Sequence, residues 1–390
     1  MKRYVICFVL LSVILTDGNC LAQTFEAHPS PYNFPGIEYP RIESDSRVTF
    51  RFNAPDAEKV QVSIVNVPFD MVKGEDGWWT YTSEPQDPGY HNYWMLVDGA
   101  LVLDPRTEAF IGYGHMCNGF EVPAADSKFY EIDSNVPHGN VLIDHYFATA
   151  SNSWRRIFVY TPPDYETNAS ARYPVLYLQH GGGEDERVWI EMGRTNVIMD
   201  NLIAAGKAEP FIVVMESSAV GPPPVRRQTP PAAPAQGQAR GAAAPPRRMR
   251  FTFDAFERLL IDELIPYIDS NYRTLADQPH RAMSGLSMGG MQTRQITLNN
   301  LDIFSHIGIF SGGSISLEDI ADKPDFKSKV KVVFASYGSL ERGAATLKEN
   351  ADALKNAGVN SHYYISPQSA HEWQAWRRSL REFAPLLFRD

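Results

Sequence analysis

The pentapeptide G-L-S-M-G at 285–289 is the feature that most restricts how this chain can fold. It follows a short apolar run and precedes a helix-like segment, which is the context of a nucleophile elbow. Glycine suits positions 285 and 289 because the turn is tight, and the turn lifts the Ser287 hydroxyl out of the fold. The backbone N–H of Met288, at a helix N-terminus, can face a developing oxyanion. An ordinary strand-to-helix turn that contains a serine would give the same pattern. The presence of a suitably placed base and acid elsewhere in the sequence must therefore distinguish the two interpretations.

Three histidines follow Ser287, and only one of them is well placed to act as a base. His306 and His362 lie in strand-like runs, which favours structural roles. His371 follows a strand and a loop and opens the last helix, so we expect it at the same edge of the sheet as Ser287. The predicted base is therefore His371, which would take the serine proton and return it to the leaving alcohol.

A loop after the predicted strand at 330–336 offers the acid of a triad. Glu341 lies in this loop and is the predicted partner of the second ring nitrogen of His371. Asp352 is the rival, but it falls about three turns into the next helix, too far from the sheet edge. The alternative for Glu341 is a solvated residue at the start of that helix.

The run H-G-G-G at 180–183 ends another predicted strand and suggests a second oxyanion donor. Backbone N–H groups after an early strand complete such a hole, and glycines let a carbonyl approach closely. We predict donors at Gly182 and Gly183, together with Met288. A flexible connecting loop is the alternative interpretation.

Strands and helices alternate through the second part of the chain, which predicts a mostly parallel sheet covered by helices on both faces. The predicted strands are 157–161, 174–179, 211–216, 281–285, 306–310, 330–336 and 361–365. The predicted helices are 195–206, 253–269, 289–300, 344–357 and 372–388. In such a sheet, ligands bind beyond the carboxyl ends of the strands.

From about residue 154 to 390 the chain resembles the esterase D family, which holds carbohydrate esterase family 1, feruloyl and acetyl xylan esterases, and siderophore esterases. The resemblance rests on Y-P-V-L-Y-L-Q-H-G-G-G at 173–183, the elbow, and the sequence around Glu341 and His371. It implies an α/β-hydrolase domain with Ser287 as nucleophile, Glu341 as acid and His371 as base. Family members often have aspartate where this chain has Glu341.

The N-terminal part alternates with a period of two and has polar turns, which predicts a small immunoglobulin-like β-sandwich. About residues 40–125 resemble the early-set sandwich of carbohydrate-binding module family 48. Four of its aromatic side chains are candidates either for stacking on sugar rings or for the sandwich core: Trp78, Trp79, Tyr93 and Trp94. The expected domains are the sandwich at 23–130 and the hydrolase at 131–390.

Residues 1–22 have the pattern of a secretory signal peptide, with Lys2 and Arg3 before a short apolar run. The run is too short to span a membrane. Cys20 raises the alternative of a lipoprotein, although the residues before it fit a lipobox poorly. The expected location is secreted or periplasmic. Cleavage after Ala22 would leave Cys117 as the single cysteine, which excludes an internal disulfide.

The segment 219–250 is rich in Pro, Ala and Arg and contains no acidic residue. This composition cannot form a packed core and predicts a disordered insertion. It follows a strand, so it would emerge on the active-site side. Either it is a flap whose arginines attract acidic polysaccharide or, the simpler interpretation, it has no role.

The net charge and the motif content of the chain argue against three kinds of ligand: nucleic acid, an anionic surface and a metal ion. The formal net charge is −10, which argues against nucleic acid and against an anionic surface. No metal-binding motif is present, and a serine mechanism needs no cofactor.

The expected function is a secreted serine carboxylesterase that removes feruloyl or acetyl groups from plant cell-wall xylan or its oligosaccharides. Trp189 and Trp373 are candidate walls of the substrate pocket, and the alternative for either is a place in the core. Three alternatives stay open: a siderophore esterase of the enterochelin type, which should have basic residues in its cleft, an acyltransferase of the mycolyl type, and a non-enzymatic glycan-binding protein. The oligomeric state is not predicted.

Overall fold

The computed structural model describes residues 25–220 and 253–389 of the chain. The predicted signal peptide at 1–22, with Cys20, lies outside the described residues, as does the predicted insertion apart from its first two positions. Within the two described ranges, no helix has the length and apolar character needed to cross a bilayer. The described chain forms an all-β part followed by an α/β-hydrolase part.

Eleven strands of the described chain build the all-β part: β1 His28–Pro29, β2 Arg41–Ile42, β3 Val48–Asn53, β4 Val60–Ile64, β5 Val67–Asp70, β6 Val72–Lys73, β7 Trp78–Thr82, β8 Gly89–Val97, β9 Ala100–Val102, β10 Ala109–Gly112 and β11 His115–Val122. They form two antiparallel sheets. One has the order β1-β2-β3-β7-β6. The other has the order β10-β11-β8-β4-β5, with β9 paired to β8.

The sandwich core lies between these two sheets because side chains of a strand alternate between its faces. In β3, the buried residues Val48, Phe50 and Phe52 alternate with more exposed ones. They share one apolar cluster with residues of β4, β8 and β11. Of the four aromatic candidates for sugar stacking, Trp79, Tyr93 and Trp94 are buried, whereas Trp78 is partly exposed. Its ring lies 5.1 Å from the guanidinium carbons of Arg51 and of Arg106.

In the described ranges of the hydrolase part, eight strands form one sheet: β12 Asn140–Ala148, β13 Ser153–Thr161, β14 Val175–Gln179, β15 Ile212–Glu216, β16 Arg281–Leu286, β17 His306–Phe310, β18 Val332–Gly338 and β19 Ser361–Ser366. Their order is β12-β13-β15-β14-β16-β17-β18-β19. The strands from β15 to β19 in this order are parallel, while β12 and β13 are antiparallel additions. The sequence did not predict β12, because most of its side chains are exposed and give no apolar periodicity.

Eight α-helices within the described residues connect and cover this sheet: α1 Val188–Glu191, α2 Thr195–Ala204, α3 Asp254–Leu259, α4 Ile265–Asn271, α5 Met288–Asn299, α6 Phe326–Lys329, α7 Ala344–Asn356 and α8 Trp373–Phe383. A π-helical turn at Leu260–Leu264 joins α3 to α4, so the single helix predicted at 253–269 is divided. One apolar cluster joins α1, α2 and α8 to one face of the sheet. Two others pack α3, α4, α5 and α7 on the opposite face.

The sandwich packs against the α1, α2 and α8 side of the hydrolase part. Tyr90 and Phe110 of the sandwich belong to the same apolar cluster as Trp376 of α8. At this contact the buried Arg377 side chain donates a hydrogen bond from Nη1 to Oε1 of Glu121, at 2.6 Å. Because a buried charge needs a partner, this ion pair fixes which residues of the two parts face each other.

Candidate active site

The strand-to-helix turn holds Ser287 in a strained backbone conformation. It lies between β16 and α5 with φ 51° and ψ −114°, a region that L-residues rarely adopt. A Cβ added at Gly285 would lie 2.6 Å from the carbonyl carbon of Gly289, and one at Gly289 would lie 2.6 Å from the carbonyl oxygen of His180. Neither position can therefore hold a larger residue, as the motif predicted.

A chain of hydrogen bonds links Ser287, His371 and Glu341. The Nε2 atom of His371 lies 2.9 Å from the Ser287 Oγ atom. The other ring nitrogen, Nδ1, lies 2.8 Å from Oε2 of Glu341. With Nδ1 protonated and donating to the carboxylate, Nε2 is free to accept the serine proton. The three predicted residues are thus brought together in the order that nucleophilic catalysis needs.

Further contacts hold the Glu341 carboxyl in place. Its Oε1 atom accepts hydrogen bonds from Ser311 Oγ and from the backbone N–H of Gly338, both at 2.7 Å. The indole N–H of Trp376 donates to the same Ser311 oxygen at 3.0 Å, and its ring packs edge-on against the His371 ring. Only 10% of the Glu341 side chain is exposed, against 48% for His371. The acid is therefore fixed from behind while the base faces the solvent side.

The other candidates for acid and base lie elsewhere. Asp352 forms an ion pair with Lys348 on the outer face of α7. His306 is buried and lies 2.7 Å from the Ser305 hydroxyl, and burial lowers its pKa to about 3. His362 lies beside Asn360, with which it forms a hydrogen bond.

Ser287 and His371 open into a cavity of about 110 Å³. Its walls come from both parts of the chain, and the lining residues are Val65, Tyr90, His91, Asn92, Tyr113, Gly181, Gly182, Glu184, Leu286, Ser287, His371, Glu372, Trp373 and Trp376. The first five belong to the sandwich. Sequence patterns could not reveal this wall, because they do not encode how two domains are oriented.

The glycine loop after β14 lies beside Ser287, and its three glycines differ in their contacts. The N–H of Gly181 already donates to Oε2 of Glu184, at 2.7 Å. Gly182 lines the cavity, and a Cβ added there would meet nothing within 4 Å. Gly183 is not part of the lining, and its carbonyl accepts a hydrogen bond from the N–H of Gly114 in the sandwich. The geometry therefore favours Gly182 over Gly183 as the loop donor, with Met288 following the nucleophile.

The two tryptophans predicted as pocket walls occupy different places. Trp373 lines the cavity. Trp189 does not, and this part of the prediction is wrong: its side chain is 1% exposed and its indole N–H donates to the carbonyl of Gln179 at 2.9 Å. Its ring packs edge-on against Trp373, so it supports the wall from inside the core.

Comparison of the sequence with protein-family models also indicates an esterase. Residues 148–343, half of the chain, match a family model described as "Putative esterase". The chain belongs to this esterase family.

One curated relative covers most of the chain. It is an endo-1,4-beta-xylanase/feruloyl esterase from Xylanibacter ruminicola, 38% identical over 376 residues. The match includes 93% of this chain but 47% of the relative, so the chain spans about half of that protein's length.

Two solved structures illustrate the fold. A ferulic acid esterase is 26% identical, with a TM-score of 0.51, and the match covers 64% of this chain and 97% of that one. The enterobactin esterase of Shigella flexneri is 14% identical, with a TM-score of 0.60, and the match covers 87% and 92%. The second likeness concerns the fold alone, and it extends over more of the chain.

Proposed function

We propose that the chain is a serine carboxylesterase that removes feruloyl groups, or the smaller acetyl groups, from xylan or its oligosaccharides. The observation that carries the proposal is the hydrogen-bonded series Ser287–His371–Glu341 at the cavity. The neighbouring backbone N–H groups of Met288 and Gly182 are suited to hold an oxyanion. This arrangement can perform acyl transfer through a covalent intermediate.

Each residue has a defined role in the proposed reaction. His371 Nε2 takes the proton from Ser287 as the serine oxygen attacks the ester carbon. Backbone N–H groups hold the negative oxygen of the tetrahedral intermediate, and Glu341 balances the charge on the imidazolium. His371 then gives this proton to the departing sugar oxygen as its bond to the acyl carbon breaks, and a water molecule, activated in the same way, releases the acid from Ser287.

The substrate class rests on a relative. The Xylanibacter ruminicola protein is named a xylanase and feruloyl esterase, and its similarity includes both parts of this chain. A polysaccharide substrate also agrees with a secreted or periplasmic enzyme, which the signal-like residues 1–22 favour. Whether the sandwich binds glycan in the manner of carbohydrate-binding module family 48 stays a prediction.

The charges of the cavity disfavour a siderophore esterase. A ferric siderophore is strongly anionic, and a cleft that grips it should present lysine or arginine. Among the described residues, the cavity lining includes neither, and it includes the acidic residue Glu372. An uncharged aromatic or acetyl ester fits this lining better.

A direct test is hydrolysis of methyl ferulate, 4-nitrophenyl acetate and acetylated xylan by wild type and Ser287→Ala. Turnover of methyl ferulate that disappears in the variant would identify a feruloyl esterase. Activity confined to the acetyl esters would identify a deacetylase with a short acyl pocket. A wild-type protein that is inert on all three esters would contradict the proposal.

A further inference from the structure

Glu184 occupies a position in the cavity that the triad does not explain. It directly follows the H-G-G-G run and lines the cavity together with Ser287 and His371. Its carboxyl packs against the loop: a Cβ added at Gly181 would lie 2.9 Å from Glu184 Oε2 and 2.6 Å from the Leu286 side chain. The carboxyl therefore lies beside the residue that precedes the nucleophile.

The only hydrogen bond of the Glu184 carboxyl within the described chain is the one it accepts from the N–H of Gly181, at 2.7 Å. This hydrogen bond links the start of the glycine loop, at Gly181, to the residue that follows the loop, Glu184. Because the next residue is Gly182, whose surroundings are open toward the cavity, the bond helps to fix the direction of the proposed oxyanion donor.

The charged and titratable groups around Glu184 do not compensate a negative charge. Asp185 follows it in the chain, while Glu372, His91 and His371 line the same cavity. Tyr113 and Cys117 of the sandwich lie nearby. Burial raises the pKa of each to about 12, and Glu184 adds to the shift by a smaller amount. Burial, and to a smaller degree Asp185, raise the pKa of Glu184 to about 8 against the lowering effect of the Gly181 hydrogen bond.

We propose that Glu184 is a positioning residue for the oxyanion loop and must be uncharged for ester hydrolysis. This inference rests on the proposed function. As a neutral acid, Glu184 holds Gly181 and adds no charge beside the reacting carbonyl. As a carboxylate, it would lie next to the oxygen on which negative charge develops and would oppose that charge.

The test is the pH dependence of kcat/KM for 4-nitrophenyl acetate, which has no ionising group, measured on the full chain. Wild type should lose activity above about pH 8, approaching tenfold per pH unit, as a single ionisation requires. Glu184→Gln, whose amide oxygen still accepts from Gly181, should stay within about threefold of wild type at pH 7. It should also keep that activity to about pH 9.5.

Two further variants distinguish the positioning role of Glu184 from the effect of removing any buried glutamate. Glu184→Ala removes the partner of Gly181 and should lower kcat about tenfold or more at pH 7, without the further loss above pH 8 that wild type shows. Glu191→Gln is the matched control, because burial also raises the pKa of Glu191 although it does not line the cavity. This control should retain the wild-type loss of activity above pH 8.

Two results would overturn the inference. One is an alkaline loss of activity in Glu184→Gln equal to that of wild type. The other is a Glu184→Gln protein that remains folded but is more than about a hundredfold less active at all pH values, which would mean that the carboxylate is required. Either result leaves the proposed function standing if Ser287→Ala abolishes hydrolysis. If Ser287→Ala is as active as wild type, the proposed function itself fails.

Discussion

Glu341 lies behind His371 and Glu184 lies in the glycine-loop wall of the cavity, and the structure surrounds these two side chains differently. On the base side, Glu341 accepts three hydrogen bonds, from His371, Ser311 and Gly338. On the side of the glycine loop, Glu184 accepts one, from Gly181. Three donors suit a carboxylate that must balance an imidazolium, whereas a single backbone donor among acidic neighbours suits a neutral acid. The local donors, and not the residue type, decide what each carboxyl can do.

The largest difference in kcat between the two sides should appear when each glutamate is replaced by glutamine. Glu341→Gln removes the charge that balances protonated His371 and can favour the wrong tautomer of the ring, so kcat should fall about a thousandfold. Steady-state kinetics at pH 7 measures this, with Asp352→Asn as a control on the outer face of α7. A loss below about tenfold would mean that another group supports His371.

A smaller effect should follow from removing one of the donors to Glu341. Ser311→Ala deletes a hydrogen bond to Oε1 of Glu341 and also the acceptor of the Trp376 indole N–H. We expect kcat to fall about tenfold with little change in KM, because the base is less firmly oriented. An unchanged kcat would show that Gly338 alone is enough to hold the acid.

A further prediction concerns stability and belongs to the glycine-loop side. The pKa of Glu184 is raised in the folded protein to about 8, from an ordinary value of 4.5. The folded chain therefore keeps a proton that the unfolded chain has lost, and this contribution to stability disappears as pH rises from about 4.5 through 8. The free energy of unfolding should fall by up to about 1.4 kcal/mol per pH unit more in wild type than in Glu184→Gln. Chemical denaturation across this range measures the difference, and parallel curves would contradict a neutral Glu184.

The hydrogen-bonded arrangement of the proposed triad could be predicted because its signals are local. A strand, a tight turn and a helix mark Ser287, and chain order leaves His371 as the one histidine beyond a strand end. Glu341 follows the same rule, since the loop after β18 must lie beside the loop that carries His371. The parallel sheet then brings the three side chains to one edge.

The remaining part of the cavity depends on packing that no local pattern encodes. Trp189 was a candidate wall on its residue type alone, and its 1% exposure and its edge-on contact with Trp373 place it in the core. Tyr113 and Val65 reach the cavity only because the sandwich docks on the α8 side of the hydrolase. For Glu184 a signal did exist: an acidic residue directly after the H-G-G-G run at a buried strand end.

The most direct measurement is the site of covalent acylation. Wild type, Ser287→Ala and His371→Ala would each be incubated with 4-nitrophenyl acetate, quenched in acid and mapped by peptide mass spectrometry. The proposed mechanism predicts one acetyl group on the peptide that contains Ser287, its absence in Ser287→Ala, and much slower acetylation in His371→Ala. Stoichiometric acetylation of another residue, or equal rates in wild type and His371→Ala, would contradict Ser287 as a nucleophile activated by His371.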